Sequence, residues 1–138
     1  YAVFHPGGSL GRRLLTKVQD VMRKDNLPCV SKEMTLGNVI IAISDARLGI
    51  AAIVEDGKLI GVITDGDVRR AMTKYKENFF NIQAQEIMTR TPKTILPTER
   101  IVVAEEMMRK NKIHSIIVVD EENHVVGIVE FFNVSIMG

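Results

Sequence analysis

The chain has 138 residues, 46% hydrophobic and 25% charged, with 18 Lys and Arg against 17 Asp and Glu and a formal net charge of +1. That length and apolar content bury a real core and exclude a disordered chain. The near balance of charge leaves no long-range field to gather nucleic acid or an anionic membrane, so neither is expected as a partner.

The start, Tyr1-Ala2-Val3, has neither an initiator Met nor a signal-peptide layout, and residues 1–17 read as the remnant and linker of a longer chain. A first repeat is expected over 18–73. It opens on Gln19-Asp20-Val21-Met22, followed by a short strand at Pro28-Cys29-Val30. Thr35 then caps a helix whose apolar positions, Leu36, Val39, Ile40 and Ile43, fall near helical spacing. Two apolar runs, Ile50–Val54 and Leu59–Ile63, are joined by Glu55-Asp56-Gly57-Lys58. Asp-Gly between such runs predicts a tight hairpin, because the turn needs positive φ. A second helix is expected from about Asp65 to Tyr75.

Residues 74–83 mix charge, Asn and two Phe without a period and read as a linker, with Phe79 and Phe80 as buried contacts that pin it. The second repeat, 84–138, opens on Gln85-Glu86-Ile87-Met88. A strand near Thr94–Leu96, a helix from Thr98 to about Lys110, a hairpin from Ser115 to Val129 and a turn from near Phe131 follow. Met107 and Met108 are expected in its core.

The chain is thus an internal duplication: Met22 and Met88 stand 66 positions apart, and so do Gly61 and Gly127. Both halves run strand, helix, strand, strand, helix. Single cores of this size are marginal, so the halves are expected to pack on each other.

Gly61-Val62-Ile63-Thr64-Asp65-Gly66-Asp67 ends a strand and opens a helix, where free N–H groups and the helix dipole favour a phosphate. Thr64 can add its hydroxyl, Asp65 belongs to the same mouth, and Asp67 can accept both hydroxyls of a ribose. Thr-x-x-Asp is equally a capping box that only satisfies helix-end amides, and the residues leave both readings open. The second repeat has Glu130 and Asn133 in these places, a degenerate site in which the carboxylate repels phosphate and the amide accepts poorly. Arg69 and Arg70 follow the mouth, either assisting it or simply solvated. Three His and the single Cys29 are scattered without ligand spacing, so no metal site is expected. Cys29 alone also excludes an internal disulfide framework and fits a reducing, cytoplasmic compartment. No apolar run approaches the roughly 18 residues that span a bilayer.

The duplicated order, with its Asp/Glu-hydrophobic-Met opening and the Gly-hydrophobic-hydrophobic-Thr-x-x-Asp exit of the first half, resembles a tandem CBS (cystathionine beta-synthase type) pair, the Bateman module, over Val18 to Ile136. The resemblance implies an α+β fold of two such repeats packed as a pseudo-symmetric pair, with a nucleotide cleft that regulates an attached enzyme. It implies nucleotide contacts from Thr64, Asp65 and Asp67, and from His114 facing a phosphate, although His114 equally reads as a residue topping its strand. Stacked pairs are common in the family, so at least a dimer is expected, through Val68, Ala71 and Met72 on the helix after the hairpin.

The stretch Phe4-His5-Pro6-Gly7-Gly8-Ser9-Leu10-Gly11-Arg12-Arg13-Leu14-Leu15 is similar to the segment joining the sugar-isomerase (SIS) domain to the CBS pair in arabinose 5-phosphate isomerases. Those enzymes interconvert ribulose 5-phosphate and arabinose 5-phosphate at the head of Kdo synthesis for lipopolysaccharide or capsule. This implies a SIS domain as partner, a tetrameric parent, and a catalytic role for His5 only beside that domain. No catalytic cofactor is implied; the regulatory ligand is an adenine nucleotide or CMP-Kdo. The alternative is a purely structural oligomerisation module without ligand. An enzyme within these residues alone is disfavoured, because apart from His5 no nucleophile, base and orienting group recur at usable spacing.

Overall fold

The computed structural model describes residues 9–131. His5 and Asn133 lie outside the described residues. The elements run α1 (Ser9–Leu15), α2 (Val18–Val21), β1 (Cys29–Val30), α3 (Leu36–Ala46), β2 (Ile50–Glu55), β3 (Lys58–Thr64), α4 (Asp65–Tyr75), β4 (Thr94–Ile95), α5 (Ile101–Asn111), β5 (Ser115–Val119) and β6 (Val125–Glu130). Two 3-10 turns, Lys76–Asn81 and Ala84–Glu86, connect α4 to β4. The fold is α+β with two three-stranded sheets, β1-β2-β3 and β4-β5-β6.

The hairpin forms where the Asp-Gly pair requires it. Asp56 has φ 54 and Gly57 φ 80, the positive pair of a two-residue turn whose twist matches its strands. Glu55 and Lys58 close it, and the antiparallel register runs back to Ile50 opposite Thr64, with a bulge between Ile53 and Val54. β1 pairs with β2, and β4 with β5, in parallel.

The chain forms two compact units, and each draws on both repeats. One spans Asn26–Pro92 with Glu122–Val125; the other takes the chain up to Asp25, Lys93–Glu121 and the chain from Val126 on. The Met-bearing opening of each repeat therefore lies in the unit that holds the exit strand of the other. Val62 and Thr89 exchange backbone hydrogen bonds of 3.0 and 2.9 Å, and Arg23 and Ile128 do the same at 2.8 and 3.0 Å.

In the Asn26–Pro92 unit, Leu36, Val39 and Ile43 of α3 pack with Ile53 and Ile63 of the sheet, Val68 and Ala71 of α4, and Phe79. In the other unit, Ile101, Ala104 and Met108 of α5 pack with Val18, Ile116, Val118 and Val129, and Met107 packs partly against them. Three local expectations are corrected. The fifth helix begins at Ile101, because the Glu99 N–H turns back to the Leu96 carbonyl in a separate turn, and the Thr16 carbonyl satisfies the free Ile101 N–H at the helix end. Phe79 is 2% exposed but Phe80 is 63% exposed; neighbours in a 3-10 turn diverge by about a third of a turn, and here Phe80 rests edge-on against Phe79, centroids 5.2 Å apart. Val68 and Ala71 are buried against their own core and not presented on the surface, whereas Met72 and, on α3, Ile41 are exposed apolar side chains.

Candidate functional site

β3 runs straight into α4 at Thr64, whose extended backbone makes it the N-cap. Its hydroxyl accepts the Asp67 backbone N–H at 3.2 Å, and Asp67 Oδ2 accepts the Thr64 N–H at 2.9 Å. The reciprocal capping box is therefore formed, and it satisfies two helix-end donors. Asp65 and Asp67 both lie in the first turn of α4, where carboxylates are favoured by the helix dipole. Asp65 N–H donates to the Gly49 carbonyl at 3.1 Å. Gly49 holds φ +69, and a Cβ there would stand 3.3 Å from Asp65 Oδ2.

Thr64, Asp65 and Asp67 thus share one turn, but the two acids face different hollows. Asp67 lines a cleft of about 270 Å³ with Arg70, Ala71, Lys74, Tyr75, Glu86 and Ile87. Asp65 lines one of about 420 Å³ between α3 and α4, with Ile40, Ile43, Arg47, Val68, Arg69 and Met72 among its walls. In the Asp67 cleft, the Lys74 ammonium lies 5.2 Å from the Tyr75 ring centroid, within cation–π range. The Glu86 carboxylate is tied to the Gln83 N–H at 2.8 Å.

His114 belongs to the other unit and is exposed. Its carbonyl accepts the Phe131 N–H at 2.8 Å, the same junction that Gly49 and Asp65 make. The two repeats therefore place His114 and Gly49 at equivalent positions. Glu130, half-buried, ends β6 as Thr64 ends β3.

Lys74, Tyr75, Glu86 and Ile87 also line the Asp67 cleft and were not singled out from the sequence as site residues. Glu86 carries a signal in hindsight, since it sits in the duplicated Gln-Glu-Ile-Met opening that returns to β3. Arg70, noted only as a neighbour of the mouth, reaches Asp67 Oδ1 at 2.6 Å. Among the described residues no three His, Cys, Asp or Glu side chains gather as a metal site. Outside the cleft, Lys32 and Cys29 have displaced titrations. The Lys32 ammonium is held above its ordinary range by its hydrogen bond to Glu55 and by that carboxylate's charge, and burial pushes the Cys29 thiol up. No helix among the described residues is long and apolar enough to cross a membrane.

Comparison with known proteins places this geometry. The chain is 47% identical over 131 residues to the probable arabinose 5-phosphate isomerase of Haemophilus influenzae, covering 95% of this chain and 39% of that protein. It is 40% identical over 134 residues to the arabinose 5-phosphate isomerase KpsF of Escherichia coli, covering 96% of this chain and 40% of that protein. It therefore spans about two fifths of the length of these relatives. Among solved structures, the CBS domain pair of protein MJ0100, in complex with 5′-methylthioadenosine and S-adenosyl-L-methionine, matches with a TM-score of 0.79 at 27% identity, over 89% of this chain and 95% of that one. The CBS domain model matches residues 18–74 and again 84–134, and the chain belongs to the CBS domain family as a tandem pair of repeats.

Proposed function

We propose that the chain is the regulatory, nucleotide-binding CBS pair of an arabinose 5-phosphate isomerase. In this reading it is joined to a SIS domain that interconverts ribulose 5-phosphate and arabinose 5-phosphate at the head of Kdo synthesis in the cytoplasm, for lipopolysaccharide or capsule. The observation that carries the reading is Asp67, an acceptor on the first turn of α4 that opens onto a cleft with Arg70, Lys74 and Tyr75 in its walls. A ribose diol suits the carboxylate, which offers only acceptors, and the cations beside it suit an anionic group. The ligands of the MJ0100 pair both carry adenosine, which supports an adenosine-bearing metabolite; CMP-Kdo, a downstream product, is the ligand that the pathway would favour. The second cleft, with Glu130 and Asn133, is degenerate in this reading, and His5 serves catalysis only beside the SIS domain.

Asp67→Ala tests it by calorimetry with AMP, after a thermal-shift screen of nucleotides and nucleotide sugars that includes CMP-Kdo. Loss of a charged acceptor lowers affinity about 10- to 100-fold, while the lost cap removes only about 1 kcal/mol of stability. Asn133→Ala leaves affinity nearly unchanged. Equal binding by Asp67→Ala and wild type would sink the assignment.

A second reading has an observation of its own. The capping box is complete without any ligand, so Thr64 and Asp67 already have a structural task, and the pair would then serve as an oligomerisation module. Sedimentation of a multimer, with no shift from any nucleotide in the screen, would favour it.

A further inference from the structure

Asp67 is engaged on both oxygens. Oδ2 holds the Thr64 N–H at 2.9 Å and Oδ1 holds the Arg70 guanidinium at 2.6 Å. The same guanidinium folds back along the helix: a Cβ on Gly66 would lie 3.2 Å from its Nη1 and 3.5 Å from its Nη2. Arg70 therefore covers the carboxylate and the neighbouring glycine together.

A vicinal diol that chelates a carboxylate approaches both oxygens from one side. Oδ2 retains a second lone pair for it, but Oδ1 is screened by a planar cation with several donors. Binding a diol thus means moving Arg70. The side chain is 73% exposed against 19% for Asp67, so its ion pair is screened and weak, and it is displaced at small cost. What the guanidinium does next depends on the ligand. Against a neutral ligand it loses a charge-assisted bond and gains nothing. Against a ligand bearing a phosphate it exchanges one anion for another, in a geometry that its fork fits. The bare Gly66 admits the guanidinium in its folded-back position, and Lys74 adds a second cation to the same cleft, which offsets the Glu86 carboxylate held there by the Gln83 N–H.

We propose that Arg70 is the specificity-determining residue of the Asp67 site, admitting adenosine ligands that carry an anionic group in preference to neutral ones. The proposal rests on the nucleotide-binding reading of Asp67.

The test is titration of AMP and of the neutral 5′-methylthioadenosine into wild type, Arg70→Ala and Asp67→Ala, followed by two-dimensional amide NMR, which also reports that each variant is folded. Wild type is expected to prefer AMP. Arg70→Ala weakens AMP about tenfold and strengthens 5′-methylthioadenosine about two- to fivefold, so the preference collapses. An Arg70→Ala protein that keeps the wild-type ratio of the two affinities overturns the role given to Arg70, while leaving the Asp67 site standing if Asp67→Ala still weakens both ligands. Wild type that binds neither, or Asp67→Ala that binds both as wild type does, overturns the underlying reading and the proposal with it.

Discussion

The sulfur of Met22 occupies the space in which a side chain at residue 127 would begin: a Cβ on Gly127 would fall 2.6 Å from Met22 Sδ and 2.8 Å from the Arg23 carbonyl oxygen. Gly61 repeats the relationship with Met88, at 2.6 Å from Sδ and 3.0 Å from the Thr89 carbonyl. Each glycine lets a methionine and its following backbone close against a strand. Gly127→Ala is therefore expected to destabilise by about 1–3 kcal/mol, as overpacking does, because the obstructing carbonyl cannot swing aside like a thioether. Adding Met22→Ala restores little of the loss. Urea unfolding of both variants checks this.

Glu105 is the buried acid among the described residues, 8% exposed. It pairs closely with Arg13 of α1 and more loosely, at 3.6 Å, with Arg109. Arg13→Ala leaves that carboxylate short of its main partner and should cost about 1–3 kcal/mol. The double variant Arg13→Met/Glu105→Leu should cost less than Arg13→Ala alone, because no uncompensated charge stays buried. A double variant worse than the single one would show that the pair contributes more than it costs to desolvate.

Phe79→Ala empties a buried site and is expected to lose about 3–5 kcal/mol. Phe80→Ala removes an exposed ring that touches Phe79 and covers Gly37, and should lose about 1 kcal/mol or less. Thermal unfolding of the two variants side by side separates them, and equal losses would mean that Phe80 also carries core packing.

The raised thiol of Cys29 has a definite sign. Below the ordinary thiol range both folded and unfolded chains hold the proton, and stability is complete. As pH rises from that range through the higher folded value, the unfolded chain ionises first and stability falls. The fall is small, because the thiol is only partly withdrawn from water. Cys29→Ser should flatten it, and iodoacetamide at pH 8 should alkylate the native chain more slowly than the urea-unfolded chain. A native rate equal to the unfolded one would contradict the raised value.

Features that depend on neighbours in the chain were legible beforehand. Asp56-Gly57 carries the stereochemistry of its turn within two residues, and Thr64 to Asp67 carries a helix start within four. Features decided by distant chain were not. The pattern starts a helix at Thr98, yet α5 begins at Ile101 with Arg100 as its N-cap, and the free N–H of Ile101 is taken up by the Thr16 carbonyl, far away in sequence. Val68, Ala71 and Met72 share a helical stripe that periodicity cannot divide, and only the position of the sheet decides that the first two face inward. At the site, Thr64 and Asp67 could be named from spacing, whereas the grip of Arg70 on Asp67 and the separate hollow of Asp65 depend on rotamers and on the walls that α3 and Glu86 supply.

The interleaving of the chain between the two units sets an order of events during synthesis. The unit built mainly on Asn26–Pro92 is nearly contiguous, and its pairings of Val62 with Thr89 close over a short loop. Arg23 must wait for Ile128, more than a hundred residues behind it on the ribosome, and loop closure of that length is entropically slow to nucleate. Val18 and Met22 leave the exit tunnel as apolar residues with no strand to receive them, and they stay so until β6 has been made. A premature stop early in β6 would therefore release a nascent chain in which the Asn26–Pro92 unit already holds its Glu122–Val125 segment, while Met22 and Arg23 still lack the strand that receives them.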